Sequence, residues 1–130
     1  MRYALDTDML SLLQHGHPAV VQQVTAHRAD ELSVTVITVQ EQLDGWHSRL
    51  PRARTPKRIA DLYRRLAETV RFLSRLIVLD YTENAVHRYE VLRKKHSNIG
   101  RMDLRIAAIV LANDAVLLTR NKRDFEKYLA

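Results

Sequence analysis

Residues 34–41 read Val34-Thr35-Val36-Ile37-Thr38-Val39-Gln40-Glu41, and this stretch decides the fold. Its first four residues are all β-branched, which is typical of a buried strand. The next four have the S/T-x-x-E form of a capping box, which predicts a helix running from Thr38 toward Leu50. A buried strand that leads directly into a helix is the repeating unit of α/β proteins.

The same alternation of strand and helix is predicted along the rest of the chain. Short apolar runs predict three more strands, at residues 3–5, 77–79 and 116–118. Capping residues and helical apolar spacing predict further helices at residues 8–13, 18–28, 56–73, 83–95, 103–111 and 122–129. Strands too apolar to face water on either side indicate a parallel sheet that helices cover on both faces. We therefore expect one α/β domain spanning residues 1–130.

The composition of the chain excludes several kinds of functional site. The absence of cysteine excludes disulfides and thiolate metal sites, and the chain has only three glycines, none of them in a phosphate-binding loop. No Ser-His-Asp or Cys-His arrangement offers a nucleophile. The first residues lack the apolar run of a signal peptide, and the longest apolar run is the seven residues Ile106–Ala112, against the roughly 20 of a membrane-spanning helix. We expect a cytoplasmic protein with no membrane partner.

Basic residues are concentrated in one segment. The formal net charge is +6, but the segment from Arg49 to Arg75 holds nine basic and two acidic residues, so the rest of the chain is close to neutral. A basic segment on a near-neutral body favours a polyanionic partner such as a nucleic acid. A solvated helix face explains the same charges equally well.

Four carboxylates are predicted at one edge of the sheet. Asp6 ends the first predicted strand, and Glu41 lies one helical turn past the second. Asp103 begins the helix that leads into the last strand, and Asp124 follows that strand. Because sites in parallel sheets form at the carboxyl ends of strands, we expect these acids to meet. Crowded carboxylates need a neutralising cation, and oxygen ligands suit Mg²⁺ or Mn²⁺, which can activate water for phosphodiester cleavage.

Each acid except Asp6 also has a purely structural interpretation. Asp8 and Asp103 could cap helices, and Glu41 could complete its own capping box. Asp124 could be a first-turn acid that the helix dipole favours. Asp6 needs a compensating partner, because a charged residue that closes a core strand loses its hydration. His15 and His17 could bind a metal, but two imidazoles at a helix end explain them better.

Four motifs, in order along almost the whole chain, resemble those of the PIN-domain nucleases, specifically the VapC-type toxins of type II toxin–antitoxin pairs. They are Leu5-Asp6-Thr7-Asp8-Met9-Leu10, Thr38-Val39-Gln40-Glu41-Gln42-Leu43-Asp44-Gly45, Gly100-Arg101-Met102-Asp103 with Ile106-Ala107-Ala108, and Leu118-Thr119-Arg120-Asn121-Lys122-Arg123-Asp124-Phe125. The resemblance implies a PIN-like three-layer α/β/α sandwich around a parallel sheet of four strands, with a fifth edge strand left open.

The same resemblance implies a function and its residues. The activity would be Mg²⁺- or Mn²⁺-dependent hydrolysis of RNA by a metal-activated water, in a homodimeric toxin with a cognate antitoxin. The metal-binding and catalytic quartet would be Asp6, Glu41, Asp103 and Asp124. Supporting polar groups that orient ligands or waters would be Asp8, Thr119 and Asn121. The basic segment 49–75 would then guide RNA or form a dimer surface.

Two other functions stay open at this point. A catalytically silent PIN-fold module would keep the fold and the basic surface to bind an antitoxin or a nucleic acid, although the complete quartet argues against it. Asp6-Thr7-Asp8 also resembles the D-x-D loop of haloacid-dehalogenase-like phosphatases. Those enzymes have Thr or Val two residues after the second Asp, where this chain has Leu10, and they need a late paired acid that this chain lacks.

Overall fold

The computed structural model describes residues 1–120, and strands and helices alternate throughout this part of the chain. In chain order the elements are β1 (Tyr3–Leu5), α1 (Thr7–Gln14), α2 (Pro18–Thr25), β2 (Leu32–Thr35), α3 (Val36–Arg49), α4 (Pro56–Leu73), β3 (Ile77–Leu79), α5 (Glu83–Lys95), α6 (Arg101–Ala112) and β4 (Val116–Leu118). Single turns of 3-10 helix occur at Ala29–Glu31 and Leu50–Arg52. The predicted helix at residues 122–129 lies outside the described residues.

The sheet has four strands in the order β3-β2-β1-β4, and every pair is parallel. In the central strand β1, Leu5 lies opposite Val34 of β2 and Leu118 of β4. All four carboxyl ends therefore meet at one edge. The predicted α/β class and parallel sheet are confirmed, and residues 1–120 contain no fifth strand.

Helices cover both faces of this sheet. Ala4 and Leu5 are fully buried on opposite faces, as alternation along a strand requires. Ala4 packs in a cluster with residues of α5 and α6, whereas Leu5 packs with residues of α1 and α2. Each large apolar side chain buried in this way contributes about 1.5–3 kcal/mol, so both layers hold the sheet edge in place.

Helix α6 is the most deeply buried helix of the described residues. Six of its twelve residues are buried, in keeping with the nearly all-apolar sequence. Those residues are Leu104, Ile106, Ala107, Ala108, Ile109 and Val110. Asp103 lies in the first turn of this anchored helix. The position of its backbone is therefore fixed by the core.

Three helix starts differ from the sequence prediction. Helix α3 begins at Val36 because the Thr35 hydroxyl accepts the Thr38 N–H at 3.3 Å, so the predicted capping box at Thr38 is wrong. Helix α1 is capped by Asp6 and not by Asp8. Helix α6 begins at Arg101, with Gly100 as its N-cap, so Asp103 does not cap it.

Helix α4 has the predicted helical spacing of apolar residues but buries only part of that face. Leu62 and Leu73 are buried, whereas Ile59, Tyr63 and Val70 are exposed. No helix in residues 1–120 has the length and apolar character that spanning a membrane requires.

Candidate active site

Asp6 is buried at the carboxyl end of the central strand. It begins α1 as its N-cap, and its Oδ1 accepts the Met9 N–H at 2.8 Å. Its Oδ2 accepts a hydrogen bond from the Thr119 hydroxyl, which follows the neighbouring strand β4. The residue is 5% exposed. Burial raises the pKa of the Asp6 carboxyl, the two hydrogen bonds oppose that rise, and the charge of Asp8 adds to it.

Glu41 lies in the second turn of α3 and is held by hydroxyl groups. Its Oε1 accepts a hydrogen bond of 2.8 Å from the Thr7 hydroxyl. The Thr7 oxygen lies 3.4 Å from the hydroxyl of the buried Thr38. Because the one proton of Thr7 goes to Glu41, Thr38 is the donor in the second bond. These two hydrogen bonds together fix the orientation of the Glu41 carboxylate.

The carboxylates of three helices act on one another at this edge of the sheet. Burial raises the pKa of Glu41, while the bond from Thr7 lowers it. Repulsion from Asp103, Asp8 and Asp44 raises it further. No basic side chain within residues 1–120 forms an ion pair with Glu41. Negative charge is therefore concentrated around Glu41, and no cationic side chain of residues 1–120 pairs with the Glu41 carboxylate to neutralise it.

Asp103 enters the same region from the first turn of α6. The residue before this helix is Gly100, where an added Cβ would lie 3.8 Å from Asp103 Oδ2. The Asp103 carboxylate therefore lies next to the N-cap of its own helix. The site thus combines the end of β1 with the starts of α1 and α6 and one face of α3.

The chain matches a known family over nearly its whole length. The profile of the family described as "PIN domain" matches residues 3–128. The chain belongs to the PIN domain family.

Curated relatives of this PIN domain include two proteins named VapC. "Ribonuclease VapC2" of Haemophilus influenzae is 29% identical over 134 aligned residues, covering 100% of this chain and 94% of the relative. "tRNA(fMet)-specific endonuclease VapC" of Salmonella typhimurium is 28% identical, covering 98% of this chain and 92% of the relative.

Solved structures of toxin–antitoxin complexes share the fold of this PIN domain. A DNA-bound VapBC from Salmonella typhimurium has a TM-score of 0.76 and 25% identity, covering 97% of this chain and 91% of that one. A toxin–antitoxin complex from Klebsiella pneumoniae has a TM-score of 0.73 and 23% identity, covering 95% of this chain and 89% of that one. The predicted resemblance to VapC-type PIN domains is therefore confirmed.

The PIN domain brings part of the predicted set of site residues together. Asp6, Glu41 and Asp103 lie at the same edge of the sheet, with the exposed Asp8 close enough to repel both Asp6 and Glu41. Thr119 contacts Asp6 directly. Asp124 and Asn121 lie outside the described residues, so their predicted roles stay predictions.

These oxygen donors suit a metal ion that keeps several water ligands better than a metal ion that is fully enclosed by protein ligands. Within residues 1–120 no three His, Cys, Asp or Glu side chains are close enough to hold one ion together. Mg²⁺, however, usually takes only one or two protein carboxylates and keeps several waters. A buried Asp6, with Glu41 and Asp103 nearby, supplies that kind of donor set. His15 and His17 do not belong to this donor set. His15 donates to the Ser11 carbonyl, and His17 caps α2.

Thr7 and Thr38 are site residues that sequence reasoning did not single out. The signal was present in T-x-x-E, because residues three apart share one face of a helix and Thr38 therefore lies beside Glu41. The same spacing is also that of a capping box, which is why the pattern alone does not distinguish the two roles. Thr7 comes from another element, 34 residues away, so no local pattern indicated its bond to Glu41.

Proposed function

We propose that this PIN domain is a metal-dependent endoribonuclease and the toxin of a toxin–antitoxin pair. The observation that carries the proposal is the convergence of carboxylates from α1, α3 and α6 at the carboxyl edge of the sheet. The names of its VapC relatives support cleavage of RNA as the reaction.

Asp6 and Asp103 would hold Mg²⁺, or alternatively Mn²⁺, with Glu41 acting through water and Asp124 acting as a further ligand directly or through water. When bound, the ion would supply an activated water and charge stabilisation for phosphodiester hydrolysis. The chain's own groups prepare the site. Thr119 and the Met9 N–H orient the two oxygens of Asp6. Thr7 holds one oxygen of Glu41 and leaves the other available.

A cleavage assay tests the proposal. Purified, antitoxin-free protein should cut a structured RNA with Mg²⁺ or Mn²⁺ and stop when EDTA is added. Initiator tRNA is a suitable first substrate, because a VapC relative is named for it. Failure to cut any structured RNA would contradict the proposal. Binding of RNA or partner without cleavage would instead indicate the silent module, and hydrolysis of p-nitrophenyl phosphate alone would indicate a phosphatase.

The proposed partners are a cognate antitoxin and a second copy of the chain, acting in the cytoplasm. Similar structures are toxin–antitoxin complexes, which supports the first partner. The exposed apolar residues Ile59, Tyr63 and Val70 on α4 support a protein contact, because monomers seldom leave such a face uncovered. Co-expression with the neighbouring reading frame, followed by mass measurement of the purified complex, tests both partners.

Mg²⁺ is expected to raise the melting temperature at pH 8 by several degrees, about what 1–2 kcal/mol of ligand binding produces. Burial raises the pKa of both Asp6 and Glu41. In metal-free protein their contribution to stability is therefore complete below the unfolded-state pKa and lost as pH rises through the folded-state pKa. Bound Mg²⁺ should restore this stability at pH values where the Asp6 and Glu41 carboxyls are both ionised. The Mg²⁺ effect should fade as pH falls through the raised pKa values.

Scanning calorimetry with Mg²⁺, against NaCl of equal ionic strength, measures this effect from pH 4 to pH 8. The salt control separates specific binding from general screening. A melting temperature that Mg²⁺ does not change at pH 8 would count against a metal site here.

Thr7→Val is expected to lower kcat about 10- to 100-fold, which corresponds to losing a hydrogen bond to a charged group. Valine keeps the shape of the side chain but cannot donate to Glu41. Thr7→Ser keeps the hydroxyl and should stay within a few-fold of the original rate. Equal rates for both variants would show that the hydroxyl does not position Glu41. Steady-state kinetics on the cleaved RNA provides the measurement.

A further inference from the structure

A groove of about 520 Å³ runs along α3, between α1 and α4, and begins at Glu41. Arg49 lies toward its other end, eight residues further along the helix, or about 12 Å at 1.5 Å per residue. His15, which follows α1, and Arg65 of α4 lie on the two sides. The groove is thus continuous with the proposed active site and lies against the basic segment 49–75.

Two arginines give the groove its charge. The Arg49 guanidinium lies over the Trp46 ring, with its carbon 5.3 Å from the ring centroid, and has no carboxylate partner within residues 1–120. Arg65 pairs with Asp61 through Nε at 3.2 Å, so its two terminal nitrogens lie outside that ion pair. Glu68, the other acid along α4, is neutralised by Arg64 at 2.6 Å. The end of the groove beside Arg49 and Arg65 therefore favours an anion, whereas Glu41 makes its other end acidic.

Part of the groove lining is apolar, and Gly45 leaves a gap in it. Trp46 is only 9% exposed, so its ring forms part of the floor and does not stand out as a platform. Phe72 of α4 completes the apolar part. At Gly45 an added Cβ would meet nothing within 4 Å. A planar ring can therefore approach the α3 backbone closely at this glycine.

We infer that this groove binds the single-stranded RNA that flanks the cleaved phosphodiester. A base would lie over Gly45, beside the Arg49 guanidinium that covers the Trp46 ring, and backbone phosphates would contact Arg49 and Arg65. The inference rests on the proposed nuclease function, because Glu41 joins the two sites. An RNA occupant is favoured over a peptide because Arg49 and Arg65 line a groove that starts at the proposed cleavage site and has room for one unstacked base.

Binding of a fluorescent single-stranded 12-nucleotide RNA in EDTA tests the groove apart from cleavage. Arg49→Gln combined with Arg65→Gln should weaken the Kd about tenfold and reduce the slope of log K against log salt by about 0.7 for each lost phosphate contact. Asp61 keeps Arg58 and Arg64 as partners, so the fold should not suffer. Arg88→Gln on α5, in the opposite layer, is the matched control and should bind as the original protein does.

A steric pair of variants gives an independent measurement. Gly45→Leu should fill the groove and weaken RNA binding about tenfold without changing the salt slope, because it removes space and not charge. Gly45→Ala adds one methyl group in open space and should bind nearly as well as the original protein. Circular dichroism melts confirm that both variants fold.

The outcomes separate this inference from the proposed function. If the original protein cleaves RNA and all groove variants bind and cleave equally well, the groove inference is overturned and the nuclease stands. If the original protein cleaves nothing but the variants lose RNA binding as expected, the groove stands and the nuclease fails. If Gly45→Leu leaves RNA binding unchanged but weakens capture of a co-expressed antitoxin, the groove holds a peptide and the inference is overturned.

Discussion

Asp6→Asn is expected to lower the rate of RNA cleavage by at least about a thousandfold, which corresponds to losing several kcal/mol of metal-dependent stabilisation. Asparagine removes the charge but keeps an oxygen that can accept the Met9 N–H and cap α1. Because burial already raises the pKa of Asp6, a neutral group at this position should not destabilise metal-free protein at pH 8.

Two further variants complete this test. Asp6→Ala should be equally inactive but should also lose about 1 kcal/mol of stability, since alanine cannot cap the helix. Asp30→Asn, at an exposed carboxyl whose only described partner is Arg28, controls for the chemical change and should keep full activity. Single-turnover cleavage and urea denaturation measure the two effects. An active Asp6→Asn protein would remove Asp6 from the metal site, whatever its stability.

Leu104→Ala is expected to lower the free energy of unfolding by about 3–5 kcal/mol, the range for large-to-small changes in a packed core. Leu104 is fully buried and packs with residues of α5 next to the helix turn that holds Asp103. Leu43→Ala on α3 removes the same atoms from a side chain that is 43% exposed, so it should cost less than about 1 kcal/mol.

Urea denaturation at pH 7 provides both free energies. The expected change in Leu104→Ala exceeds that of Leu43→Ala several-fold, whereas the two variants should cleave RNA at similar rates per folded molecule. Equal losses of stability would contradict the placement of α6 in the core. The pair thus tests the fold, as the Asp6 variants test the site.

Local sequence was sufficient to predict most of the sheet. Strands β1, β3 and β4 begin and end where the short apolar runs do, and α4 and α5 begin at the predicted residues 56 and 83, where Thr55 and Thr82 cap them. Strand β2 is different, because the β-branched run continues past its end. Val36 and Ile37 enter a helix once Thr35 caps it, and Ile37 is buried in the core there. Packing overrides intrinsic strand preference at these two residues.

The site was predictable to the extent that it depends on strand ends. Asp6 ends the parallel strand β1, Glu41 lies on the helix that follows β2, and Asp103 lies at the start of the helix that leads into β4, so all three reach one edge. The hydroxyl contacts of Thr7 with Glu41 and Thr38 were not predictable, because they join side chains more than 30 residues apart. The groove beside Glu41 depends in the same way on how α1 and α4 pack around α3. Asp124 remains a prediction from the sequence alone.

The pairing of β1 with β4 has a consequence for synthesis on the ribosome. Strand β1 can pair with β4 only after residue 118 has left the ribosome. Asp6 can likewise accept its hydrogen bond from Thr119, 113 positions later in the sequence, only at that late stage. Translation adds roughly 5–20 residues per second, so the growing polypeptide spends seconds without this contact. A nascent chain therefore lacks this contact of the proposed active site while it is still attached to the ribosome, which is itself rich in RNA.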